Sequence, residues 1–88
     1  MKFMIVRTWE PHEGAEIAKR RTEKGRMTPE GIRVLGEWLA TAGGTQFLLI
    51  EADSDMASWN FYLRWADLGT NESFNVVEVK DDKMTQLS

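Results

Sequence analysis

The chain has 88 residues, a formal net charge of −3, one histidine and no cysteine. These figures exclude a disulfide framework, a thiolate metal site and a cysteine nucleophile, and one histidine argues against zinc, which takes several N, S or O ligands. A global basic field for nucleic acid is absent, and no apolar run approaches the roughly 18 residues that a membrane span needs.

A chain this short buries only about 60–65% of its extended surface, so oligomerisation is an expected source of stability. The N-terminus shows neither a long apolar segment nor a small-residue cleavage site, and the expected location is the cytoplasm.

Phe3 to Trp9, rich in β-branched and aromatic residues, predicts a first strand ended by Glu10-Pro11. Proline suits the first turn of a helix. A helix from His12 to Lys24 follows, with a narrow apolar stripe of Ala15, Ile17 and Ala18, and Gly25 closes it. Its cluster Lys19-Arg20-Arg21-Thr22-Glu23-Lys24 reads as a solvated face. Ile32 to Ala40 and Thr45 to Asp53 predict two strands joined at Gly43-Gly44. A second helix, capped by Ser54 or Asp53, runs to Leu68 with an apolar surface too wide for one neighbour. Ser73 to Lys80 predicts the last strand, and residues 81–88 a polar tail after one domain over 1–80.

The order β-α-β-β-α-β favours an α+β, ferredoxin-like split βαβ fold. Its four-stranded antiparallel sheet would have the order 4-1-3-2, with both helices on one face. Each strand has two differing faces. Met4, Val6, Thr8, Ile32, Val34, Gly36, Trp38, Leu48, Ile50, Ala52, Val77 and Val79 are aliphatic or small nearly throughout and are expected under the helices. Phe3, Ile5, Arg7, Trp9, Leu35, Glu37, Phe47, Leu49, Glu51, Phe74, Val76 and Glu78 mix large apolar groups with charges. A second copy stacked on that face would cover the apolar groups and pair the charges. Arg7, Trp9, Glu37, Phe47, Glu51, Phe74 and Val76 are therefore expected at a homodimer interface. A two-residue hairpin at Gly43-Gly44 would place Glu37 on the face of Ile50. The hydrophobic pattern instead places Glu37 with Leu49 and asks for a three-residue loop or a bulge at Ala42–Thr45.

The opening Met-Lys-Phe-Met-Ile-Val-Arg-Thr-Trp, Thr28-Pro29-Glu30-Gly31-Ile32, Gly36-Glu37-Trp38, Gly43-Gly44, the run Phe47 to Asp53 and Trp65 resemble a small uncharacterised family, number 3303 in the domain-of-unknown-function series. The resemblance spans nearly the whole chain. It implies membership of the dimeric α+β barrel superfamily and stacked sheets, and no activity. The last strand departs from the family pattern: Val76-Val77-Glu78-Val79 stands where a proline–valine pair is expected.

His12, Trp38, Tyr62 and Trp65 are expected towards one end of the domain, where small residues beneath two aromatic layers would leave a pocket between sheet and helices. They are the candidate ligand-binding residues for a small apolar molecule, with His12 or Tyr62 as acid or base if there is turnover. An ordinary aromatic core and an exposed histidine account for the same residues. No metal or cofactor is expected, and no Walker loop, GxGxxG fingerprint or Ser-His-Asp set appears. Three functions fit: a binding protein, a cofactor-free oxygenase- or isomerase-like enzyme, or a structural or regulatory module.

Overall fold

The computed structural model describes residues 1–79. Its elements are β1 (Lys2–Thr8), α1 (Pro11–Lys24), β2 (Ile32–Leu39), β3 (Thr45–Ala52), α2 (Asp55–Leu63) and β4 (Thr70–Val76). All pairings are antiparallel, and the sheet order is β2-β3-β1-β4, a ferredoxin-like arrangement. Lys80 and the expected tail lie outside the described residues.

The core lies on the helix side of the sheet. Phe3 and Ile5 from β1 meet Leu48, Ile50 and Ala52 from β3, with Phe61 and Trp65 above them. Each fully buried large apolar side chain contributes about 1.5–3 kcal/mol. The inward set of β3 is the expected one. In β1 the faces are exchanged: Phe3, Ile5 and Arg7 point under the helices, and Met4, Val6 and Thr8 point away. Both alternate sets of β1 are apolar, so alternation alone does not orient the strand. Packing selects the larger pair, Phe3 and Ile5, for the core.

β2 keeps Ile32 and Val34 inward, then slips. Val34 pairs with Ile50 but Gly36 pairs with Leu49, so Leu35 is the extra residue of a bulge. Beyond it Glu37 pairs with Leu48 and Trp38 with Phe47. Glu37 is thus on the face of Ile50, not with Leu49, and Trp38 is on the outer side with its indole over Gly36. The hairpin itself closes with Ala40 donating to the Thr45 carbonyl, around the four residues Thr41-Ala42-Gly43-Gly44. The irregularity therefore sits at Leu35, within the strand and not at the turn.

Element ends also differ from expectation, and β4 stops at Val76, so Val77 and Val79 lie beyond the strand in which they were expected. α2 stops at Leu63, because Arg64, Trp65 and Leu68 donate to carbonyls three residues back and tighten the chain into turns. β4 begins at Thr70, earlier than Ser73. Its inward positions Asn71, Ser73 and Asn75 are polar, so no hydrophobic alternation marks its start. Gly69, at φ 68°, makes the turn into β4; a Cβ there would lie 2.5 Å from the Thr8 carbonyl oxygen.

Candidate functional site

α1 lies over the same sheet face as α2 but buries none of its residues. Its first turn begins at Pro11, with Glu13 accepting a hydrogen bond from the Glu10 amide at 3.0 Å. The other Glu13 oxygen accepts from the Gly69 amide at 3.0 Å. At the far end Arg20 makes a bidentate pair with Asp67, both distances 2.7 Å. The helix is thus strapped to the turns before β4, and a cleft of about 620 Å³ remains between it and the sheet.

Trp9, Trp38 and Trp65 border this cleft, together with Gly14, Ile17 and Ala18 of α1. The small residues let the helix roof the space without filling it. Trp65 is buried and fixed, its indole donating to the Arg26 carbonyl at 2.9 Å. A sequence of polar groups forms the inner wall. Arg21 donates to both oxygens of Glu37 at 2.5 and 2.7 Å, and Arg26 donates to one of them at 2.9 Å. The Gln46 amide nitrogen donates to Glu37, and its oxygen accepts from Arg7 at 2.8 Å. A carboxylate only accepts and a guanidinium only donates, so this orientation of Gln46 is the one that satisfies both neighbours. Arg7 also donates to Asn71 at 2.7 Å and stands 4.6 Å over the Trp65 ring. Asn71 in turn donates to the Trp65 and Leu68 carbonyls.

The hydrogen bonds from Arg21, aided by Arg26 and opposed by partial burial, hold the Glu37 carboxyl at about 2. Burial draws the Arg7 guanidinium down to about 10, with Glu37 opposing. Both groups remain charged at neutral pH. Among the described residues lining the cleft, the titratable ones are Arg7, Arg21 and Glu37. Such an array holds charge in place and offers no proton exchange near neutrality.

The expected site residues divide. Trp38 and Trp65 border the cleft. His12 is exposed in the first turn of α1 and does not line it. Tyr62 stacks on Trp59, ring centroids 5.2 Å apart, on a separate groove with Phe3, Asp55 and Ser73. Of the expected interface set, Phe47, Glu51, Phe74 and Val76 share the outer sheet face. Arg7 and Glu37 instead belong to the helix side, and Trp9 lines the cleft. Arg20 and Arg21, read as part of a solvated face, each hold a carboxylate.

Gln46, Asn71, Arg21 and Arg26 are the residues that sequence reasoning missed. Gln46 had a signal: it occupies the inward alternation of Leu48, Ile50 and Ala52, where a polar residue needs a partner. Asn71 had none, because its partner Arg7 is 64 residues away in sequence.

The family model described as "Domain of unknown function (DUF3303)" matches residues 1–86. No curated protein matches the chain.

Proposed function

The chain belongs to the DUF3303 family, and we propose that it is a homodimeric binding protein holding a small, largely apolar molecule in the cleft beneath α1. The observation that carries this reading is the cleft itself: about 620 Å³, with Trp9 and Trp65 in its wall and roofed by a helix that has no fully buried residue. Ligand sites are typically concave, mostly apolar and supplied with few polar groups. Binding is favoured over turnover because His12 and Tyr62, the candidate acid and base, do not line the cleft.

The partner is a second copy. Phe47, Phe74 and Trp38 are exposed on the outer face, and Met4, Val6 and Leu49 lie between them. Lys2 and Arg33 on that face are matched by Glu51 and Glu72, so the surface carries both signs and complements itself under two-fold symmetry. Stacking two such sheets, as in dimeric α+β barrels, would cover an apolar patch that isolated monomers seldom leave bare. Among the described residues no helix is long and apolar enough to cross a membrane, and the proposed location is the cytoplasm.

Native mass spectrometry of the purified chain tests both halves. A dimer carrying a bound small-molecule mass is the expected result. A monomer removes the stacked-sheet reading. A dimer that stays empty and leaves tryptophan emission unchanged with apolar aromatic compounds removes the binding reading and favours a structural module.

A further inference from the structure

Arg7 is 93% buried by its 7% relative exposure, yet both of its side-chain partners, Gln46 and Asn71, are neutral amides. A buried charge is costly unless it is paired. The nearest carboxylate, Glu37, is already taken by Arg21 and Arg26 and reaches Arg7 only through Gln46. Nε and Nη1 of Arg7 are used, and Nη2 has no partner among the described residues. Arg26 is paired with Glu37 through Nη2, but its Nε is buried without an acceptor. Between these arginines lies a small void of about 10 Å³ that shares Arg7, Arg21, Gln46 and Trp65 with the main cleft. Its size corresponds to about one water-sized atom.

We infer that the ligand of this cleft is a carboxylate: a flat apolar body lies against the tryptophans, and its anionic end reaches inward to the unpartnered N–H groups of Arg7 and Arg26. This rests on the binding reading above and adds the chemical class. Three guanidiniums, of Arg7, Arg21 and Arg26, converge on a region holding the single carboxylate of Glu37. An incoming monoanion therefore compensates charge that the protein leaves uncompensated. A phosphate fits less well, since its oxygens outnumber the two open donor groups. Charge-assisted hydrogen bonds to a guanidinium are short and strong, and they fix orientation as well as affinity. Trp65, beneath Arg7 and within reach of the cleft, makes the anchor and the apolar wall contiguous.

Isothermal titration calorimetry of the full chain with 1-naphthoate and with its neutral counterpart 1-naphthamide tests the inference. Naphthoate is expected to bind about tenfold or more tighter than the amide. Arg7→Gln should level the two affinities by weakening the carboxylate alone. Thr22→Glu, at an exposed α1 position bordering the cleft, should weaken naphthoate and leave the amide unchanged. It decides the matter if Arg7→Gln does not fold. Ala18→Trp, which fills the cleft from the helix side, should abolish both. Equal affinities for the two compounds, or naphthoate binding that survives Ala18→Trp, would overturn the carboxylate inference. In the case of equal affinities lost with Ala18→Trp, the binding reading stands. Failure of both compounds to bind overturns the two readings together.

Discussion

α1 and α2 cover the same sheet face by different means. α2 buries Ala57, Ser58 and Phe61 against the core, and its N-cap Ser54 accepts from the Ala57 amide. α1 has no fully buried residue; Ile17 alone packs partly against the core, and polar straps to Gly69, Asp67 and Glu37 hold the helix in place. Packing fixes one helix, with Phe61 set directly into the core. Straps fix the other at a distance and leave the cleft. The difference is written in composition: α2 contributes a tryptophan, a phenylalanine, a tyrosine and a leucine over nine residues, whereas α1 offers Ala15, Ile17 and Ala18 among charges. Stability and site formation are thereby assigned to different helices on one sheet.

Breaking the packed helix should have the largest effect. Phe61→Ala, at a residue 3% exposed, is expected to cost about 3–5 kcal/mol in urea unfolding. Ile17→Ala on α1, half-buried, should cost about 1–2 kcal/mol, because only part of its surface leaves water. Equal losses would mean that α1 is packed as tightly as α2.

Cutting the strongest strap comes next. Glu37→Gln leaves Arg21 and Arg26 without their carboxylate and should cost about 1.5–3 kcal/mol, the range for hydrogen bonds to charged groups. The pH dependence follows from the same group. Its folded value, about 2, lies below that of an unfolded glutamate, about 4.3. The folded state therefore binds fewer protons, and the contribution is present above about 4.3 and lost as pH falls towards about 2. Stability of the parent chain should decline across that window, and Glu37→Gln should flatten the decline. A variant whose acid profile overlays the parent's would remove Glu37 as the strap. Arg20→Ala breaks the more exposed pair with Asp67 and should cost only about 0.2–1 kcal/mol, less at high salt.

The packed half of this comparison was legible in the sequence, and the strapped half was not. Leu48, Ile50 and Ala52 alternate on a strand with few other choices, and the element order limits the topology to a handful. β1 was not orientable, since Phe3-Ile5 and Met4-Val6 are both apolar and only pairing with β3 selects between them. One extra residue, Leu35, then reversed Gly36 through Leu39 and carried Glu37 from the outer face to the cleft. No composition signal marks such a bulge; it is the product of two strands whose preferred registers differ by one. Trp65 was recognisable as a candidate pocket residue, on a helix expected to continue to Leu68. Its role under Arg7 depends on α2 ending at Leu63, which follows from local hydrogen bonding that apolar spacing does not encode.

Gly14→Ala sets two small effects of the strapped helix against each other. Alanine in place of glycine within a helix gains about 0.5–1 kcal/mol through backbone entropy. The new Cβ would lie 3.2 Å from Nε1 and 3.6 Å from Cδ1 of Trp9, so the indole must yield by a few tenths of an ångström. Trp9 borders the cleft and has open space on that side. The expected result is a net gain below about 0.5 kcal/mol, accompanied by a shift in tryptophan emission and weaker binding of cleft probes. A gain of the full propensity value with unchanged emission would show that Trp9 is already free of the helix. A loss of stability would place Trp9 as a wedge that keeps α1 off the sheet, making the spacing of the cleft a property of one indole rather than of the straps.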